Sequence, residues 1–308
     1  MDDQTQQRIQ NQFQARHSLW TPKCGLLSFS PLYILSENLI PPGNPYHERM
    51  ILSHVSHPQH LYSSFHILVL YAPAGVPSTR RAFFASVLAI INHPELGIDP
   101  QQLIITGDFN YSYLRPRLSA NASTDWLAFL EGNMYDCMHH NDLHTVPTFQ
   151  RPSKTSSTLD YIFVSKDTLA HHLISNNIDK LKPDWTDHNM LTITLTFQHI
   201  PIGPGLWKAN PILLQNASFT AKLDSKLDHL ADAMSSAHTP QANWDALKSE
   251  LKKWIRTQGR RLANQRSTKL RDLQQQRIDI LQSNESNDRR LEQLSTIDPQ
   301  IHQRSLFD

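Results

Sequence analysis

At 308 residues with 39% hydrophobic content, the chain is long enough for one large domain with its own core and an appendage. No run approaches the roughly 18 apolar residues needed to cross a bilayer, and the start Met1-Asp2-Asp3-Gln4 is acidic and glutamine-rich, so neither membrane insertion nor secretion is expected. Cys24 and Cys137 are too few for a disulfide framework or a zinc site, and a net charge of +1 by itself points to no partner. The expectation is an intracellular protein, nuclear or cytoplasmic. Seventeen histidines are scattered, and the pairs His139-His140 and His171-His172 lack a ligand-spaced partner, so they are expected at the surface or in packing.

In chain order, residues 1–19 read as a short polar helix. Strand-like runs follow near 24–29, 49–56 and 65–71, the last ending Ile67-Leu68-Val69-Leu70-Tyr71-Ala72-Pro73. From Ser78 to Asn92 the apolar residues Ala82, Phe83, Phe84, Val87, Leu88 and Ile91 recur at helical spacing and predict an outer helix packed on a sheet. A strand at 103–106 comes next, then a helix from Thr124 with Ser123 or Thr124 as N-cap. Strands at 148–151, 158–165 and 191–198 complete the β-structure. Pro201, Gly203, Pro204, Gly205 and Pro211 then punctuate the backbone. Beyond them Phe219, Leu223, Leu227 and Leu230 mark one amphipathic helix, and Trp244, Leu247, Leu251, Trp254 and Ile255 begin a second that continues through Leu262, Leu270, Leu273 and Ile280.

Three segments carry chemistry. In Leu103-Ile104-Ile105-Thr106-Gly107-Asp108-Phe109-Asn110 a short buried strand opens at a glycine, and an acid and an amide follow at i and i+2, on the same side of extended backbone. Such a pair can hold a hard cation and a phosphate oxygen; a plain surface turn is the competing reading. In Ser157-Thr158-Leu159-Asp160-Tyr161-Ile162-Phe163-Val164-Ser165 a carboxylate interrupts a β-prone run, which is costly unless it is paired or metal-bound. Trp185-Thr186-Asp187-His188-Asn189 puts an acid and an imidazole at the mouth of another strand. Asp108, Asn110, Asp160, Asp187 and His188 can therefore line one rim.

Gly107-Asp108-Phe109-Asn110, Leu159-Asp160-Tyr161, Thr186-Asp187-His188 and the strand ending Tyr71-Ala72-Pro73 together resemble the endonuclease/exonuclease/phosphatase family. The resemblance is closest to the endonuclease domain of LINE-type (non-LTR) retrotransposon polyproteins. Pro147-Thr148-Phe149 and Gly203-Pro204-Gly205-Leu206-Trp207-Lys208-Ala209-Asn210, similar to the linker before their reverse transcriptase, fit that subgroup. It covers roughly residues 10 to 215. It implies an α+β fold, a four-layer α/β/β/α sandwich, here followed by an α-helical C-terminal extension. The expected division is 1–200 for the sandwich, 201–215 for a Gly/Pro linker and 216–308 for a basic helical extension. It implies hydrolysis of phosphodiester or phosphomonoester bonds with Mg²⁺ or Mn²⁺, DNA as the partner and no small-molecule cofactor. His188 would be the base or the group stabilising the pentacovalent phosphate, with Asp160 fixing its tautomer. Asp108 would orient the attacking water or share the metal, Asn110 would hold phosphate or water, Asp187 would support the metal, and Tyr71 would donate its hydroxyl to a phosphate oxygen.

One departure accompanies the match. The family's metal-binding Glu on an earlier strand has no counterpart, since Glu37 and Glu48, the only glutamates in the first 90 residues, read as loop residues. The leading strands of the sandwich, and the polymerase beyond the linker, are expected to be missing, and activity to be impaired. A non-catalytic remnant that at most binds nucleic acid or a partner through its basic helices is the alternative. An inositol-phosphate or sphingomyelin phosphodiesterase of the same fold is a weaker third. Between Lys248 and Arg277 ten Lys or Arg face two acids, Glu250 and Asp272. That suits a helix lying along nucleic acid, but a solvated face of a long helix is the favoured reading, because no aromatics interleave beyond Trp254.

Overall fold

The structure, a computed structural model, describes residues 3–60, 62–116, 118–150, 156–167, 169–183, 185–197, 209–233, 239–283 and 285–305. The strands are β1 (His17–Trp20), β2 (Gly25–Ser28), β3 (Ile34–Leu35), β4 (Met50–Ser56), β5 (Phe65–Tyr71), β6 (Leu103–Asp108), β7 (Met134–Asp136), β8 (Phe149–Gln150), β9 (Ser156–Ser157), β10 (Asp160–Ser165), β11 (Leu173–Lys180) and β12 (Asn189–Leu195). The helices are α1 (Asp3–Phe13), α2 (Pro77–Ile91), α3 (Thr124–Asn133), α4 (Ala217–Asp232), α5 (Pro240–Gln282) and α6 (Asn287–Ser305). The chain divides into two compact units, Met1–Ile200 with Ile280–Ser286, and Pro201–Asp279 with Asn287–Asp308. No helix among the described residues is long and apolar enough to cross a membrane.

The first unit is built on a mixed six-stranded sheet in the order β3-β4-β5-β6-β10-β7. Only β5 and β6 pair in parallel, and that pairing needs a crossover, which α2 supplies. Alternation along each strand sorts the side chains. Met50, Leu52, Leu68, Leu70, Leu103, Ile105, Tyr161 and Phe163 join Phe83, Phe84 and Val87 of α2 and Trp126 and Leu130 of α3 in one core. Phe84 stacks on Trp126 at 5.0 Å and on Phe109 at 5.6 Å, so this helix-covered side is held by aromatic packing. Ser123 caps α3, its hydroxyl accepting from Trp126 N.

The opposite face of the sheet bears Ile51, Val55, Ile67, Val69, Ile104, Thr106, Ile162 and Val164. β12 crosses it, with His188 bonded to Asp160 of β10 at one end and Phe197 stacked on Phe65 of β5 at the other. β12 pairs along its length with β11, and a single antiparallel bridge of Phe149 to His188 ties its start to β8, so the second sheet of the expected sandwich is a two-stranded ladder with that one bridge among the described residues. Ile51, Val55 and Val164 are buried there, whereas Ile67, Val69, Thr106 and Ile162 are half-buried.

Several elements differ from expectation. The N-terminal helix stops at Phe13 because Gln14 turns into the left-handed region at φ 54°, and His17–Trp20 enters β1 instead. β3, β7, β11 and α6 had no strand or helix reading. β11 carries Ser175, Asn176 and Asn177, poor strand formers that owe their conformation to pairing with β12. The strands expected at 148–151 and 191–198 are observed as 149–150 and 189–195, while residues 151, 198 and the Gly203–Lys208 motif lie outside the described residues. Both cysteines are buried free thiols, pushed up to about 11 (Cys24) and about 12 (Cys137) by desolvation.

Asp136 ends β7 and accepts Met138 N at 2.9 Å, while burial pushes its carboxyl up to about 6. A carboxyl raised by folding favours the folded state when protonated, so that contribution is present below about pH 4 and is lost as pH rises through about 6. Asp136→Asn keeps an oxygen for Met138 N and does not titrate. In urea titrations the variant is expected to gain about 1–3 kcal/mol relative to wild type on going from about pH 4 to about pH 7.5. The same difference at both pH values would contradict this.

Candidate active site

Strand register alone sets three side chains in a row. Tyr71 pairs with Asp108 across the parallel β5–β6 ladder, and Asp108 pairs with Asp160 across the antiparallel β6–β10 ladder. Paired residues on neighbouring strands share a face, so all three stand on the side of the sheet that β12 crosses. Gly107 permits this, because its φ of 137° suits glycine and a Cβ there would lie 1.9 Å from Leu70 O. Phe109 turns into the core with no exposure, while Asn110, expected on extended backbone, reaches the side of Asp108 through a turn after β6 ends and not by strand alternation.

Asn110 sits at φ 52°, a left-handed conformation that asparagine tolerates, and its backbone N–H donates to Asp108 Oδ1 at 2.8 Å. Its side-chain Nδ2 donates to Asp108 Oδ2 and to Ala72 O, both at 2.9 Å. The loop after Tyr71 is held by buried Arg80, whose guanidinium donates to Pro73 O at 3.0 Å, to Ala74 O and Gly75 O at 3.1 Å, and to Asn121 Oδ1 at 2.5 Å.

His188 Nδ1 lies 2.7 Å from Asp160 Oδ2. A carboxylate accepts there, so Nδ1 carries a proton and Nε2 is the nitrogen turned to the site, with Asp187 Oδ1 3.9 Å from it. The segment Pro147–Gln150 splints this arrangement. Asn189 N donates to Thr148 O at 2.6 Å, Asn189 Nδ2 to Pro147 O at 2.7 Å, Gln150 N to Asp187 O at 2.9 Å, and the Phe149 ring meets His188 edge-on at 5.0 Å.

Asp108, Asp160 and His188 each offer one ligand atom, and the three atoms lie within 4.8 Å of one another. Burial, and then the nearby charge of Asp160, push Asp108 up to about 6. His188 is raised, first by its hydrogen bond to Asp160, against the opposing effect of burial, with the charges of Asp160, Asp108 and Asp187 adding to the rise. Two close carboxylates served by one imidazole suit a hard divalent cation in donor type. Such an ion takes about six oxygen ligands, and the carboxylates with atoms in this cluster are Asp108 and Asp160, with Asp187 Oδ1 3.9 Å from His188 Nε2 at its rim.

The structure thus brings Asp108, Asn110, Asp160, Asp187 and His188 together. Tyr71 joins them by register, its hydroxyl making no hydrogen bond to the described residues. Two contributors had no role assigned from sequence. Fully buried Thr148 donates its hydroxyl to Asp160 Oδ2 at 2.7 Å and accepts Leu159 N at 2.9 Å and Asp160 N at 3.0 Å, so it fixes the carboxylate that fixes His188. Its signal was its place in Pro147-Thr148-Phe149. Arg49 lies with its guanidinium 5.2 Å from the Tyr71 ring centroid and donates to Tyr71 O at 3.2 Å. Nothing local marks it, since its position follows from the pairing of Met50 with Leu70.

No protein-family model matches the chain, and no curated protein matches it. Among solved structures it is similar to the endonuclease domain of TRAS1, a telomere-specific non-LTR retrotransposon, at 15% identity and TM-score 0.42, over 57% of this chain and 74% of that one. It is also similar to a humanized D. rerio TDP2 at 14% identity and TM-score 0.44, over 61% and 79%. A third is the endonuclease/exonuclease/phosphatase from Bacteroides vulgatus, at 15% identity and TM-score 0.40, over 59% and 76%. Each alignment covers part of the chain, and the chemistry of the site is read from its own residues.

Proposed function

We propose that the chain is a divalent-metal-dependent phosphodiester hydrolase of the endonuclease/exonuclease/phosphatase kind, acting on DNA at a reduced rate. The observation that carries this reading is the His188–Asp160 hydrogen bond of 2.7 Å beside Asp108, where β6 and β10 meet. The division into a catalytic part at 1–200, a linker at 201–215 and a basic helical extension at 216–308 belongs to the same proposal.

Each residue has a part that its surroundings favour. Asp160, held by Thr148, keeps the Nδ1 proton on His188 and favours the imidazolium, which presents Nε2 to a phosphate oxygen as negative charge develops there. Asp108, beside Asn110 and across the ladder from Asp160, orients the attacking water or shares the metal. Asn110 orients that water or a phosphate oxygen, and the Tyr71 hydroxyl donates to another. When bound, Mg²⁺ or Mn²⁺ neutralises phosphate charge, with Asp108 and Asp187 as its holders. The cluster holds no glutamate among the described residues, and this low carboxylate count is the reason for the reduced rate. That same observation favours the second reading, a non-catalytic remnant that binds nucleic acid.

Relaxation of supercoiled plasmid by the purified chain separates the two. Slow nicking is expected in Mg²⁺ or Mn²⁺, with none in EDTA and none for Asp108→Asn. Nicking that persists in EDTA or in Asp108→Asn would overturn the hydrolase reading, and a complete absence of nicking would leave the remnant.

A further inference from the structure

In the second unit, α4 and α5 enclose a groove of about 590 Å³. On α4, Lys222, Ser225, Lys226 and His229 follow one another at three- and four-residue spacings, or in direct succession, and so share one face. Trp254 and Arg261 stand seven apart on α5 and share the facing side. Phe219 packs against Trp254 with ring centroids 5.5 Å apart, which leaves the indole half-buried in the groove wall.

The charge of this groove is one-sided. Among the described residues no carboxylate lies within ion-pair distance of Lys222, Lys226 or Arg261. Glu250, whose charge Lys226 acts on, is bonded by Lys253 at 2.8 Å. Like charges at i and i+4 on α4, with a third across the groove, repel one another until an anion enters. Charge alone suits any polyanion, but an indole set among the cations adds a stacking surface, which favours a strand with exposed bases.

We propose that this groove binds single-stranded nucleic acid, with phosphates on Lys222, Lys226 and Arg261 and a base against Trp254. The site is independent of the hydrolase reading, and its test uses a chain in which that chemistry is removed. The full chain carrying His188→Ala is titrated into fluorescein-labelled oligothymidylate and followed by anisotropy. The triple variant Lys222→Gln/Lys226→Gln/Arg261→Gln in the same background is expected to bind about tenfold more weakly or worse. Its slope of log affinity against log salt is expected to be shallower by about 2, at about 0.7 per cation removed. Trp254→Leu is expected to weaken binding with the slope unchanged. Because Trp254 also packs on Phe219, helicity is checked by circular dichroism, and the triple variant, made at exposed or half-exposed positions, decides the matter if the tryptophan variant unfolds. Unchanged affinity and slope in the triple variant would overturn the proposal. So would a failure of the parent chain to bind the oligomer, or its preference for phosphatidylserine vesicles.

Discussion

Gly107→Ala is expected to destabilise the first unit by roughly 2–6 kcal/mol, summing backbone strain and overpacking. The residue lies between β5 and β10 in the middle of the sheet, with φ at 137°. An added Cβ would meet Leu70 O at 1.9 Å, Leu70 C at 2.9 Å and Leu70 N at 3.0 Å. All three are backbone atoms of the paired strand and cannot rotate aside as a side chain would. Either the β5–β6 ladder opens or Gly107 takes another conformation, and each moves Asp108 away from its register with Tyr71 and Asp160. Against a total stability of about 5–15 kcal/mol, this loss is a large fraction of what holds the unit folded. Gly97→Ala is the comparison, because Gly97 also has positive φ, at 58°, but nothing lies within 4 Å of its added methyl. It is expected to cost only about 1 kcal/mol. Urea midpoints measured by far-UV circular dichroism give both values, and equal losses would contradict the steric account.

His188→Ala is expected to lower the metal-dependent nicking rate by about 10²–10³-fold, the usual contribution of one donor placed against charge that develops in the transition state. In barrier terms that is about 3–4 kcal/mol. The expectation is this large because the imidazole is held on every side. Asp160 fixes its Nδ1, Thr148 fixes Asp160, and Phe149 packs against the ring edge. His188 N also donates to Thr186 Oγ1 at 3.0 Å, so the backbone before β12 is tied down too. A water molecule filling the space left by the alanine has none of this placement. The variant is expected to fold normally, since His188 is partly exposed and its loss opens no cavity in the aromatic core.

The parts of the site that could be read from sequence are those where strand alternation and chemistry coincide. Leu103-Ile104-Ile105 announces a buried strand, and Gly107-Asp108-Phe109 places Asp108 on the face opposite Phe109. The same logic applies to Asp160 within its apolar run. Their mutual placement depended on register, which no single segment contains, and the family resemblance supplied it. β11 was illegible because Asn176 looks like a loop residue. It is buried only because its Nδ2 reaches Cys137 O at 2.9 Å and its side-chain oxygen accepts from Asn141 at 2.6 Å. Thr148 stood in the recognised Pro147-Thr148-Phe149, but its role and that of Arg49 could not be read for a related reason, since their partners lie 12 and 22 residues away in the chain. The end of α1 turned on one positive φ at Gln14, a position where glycine or asparagine would have given warning.

The central claim is that residues from separate strand ends act as one group on one phosphate. The Asp160→Asn/His188→Ala cycle tests it most directly, with the plasmid-nicking rates of wild type, both single variants and the double variant measured in Mn²⁺. If Asp160 works through His188, the double variant is expected to nick no more than about twofold slower than the slower single variant, because residues acting as a unit are strongly non-additive. Two losses that multiply in the double variant, or a wild-type rate that neither substitution lowers, would contradict the account.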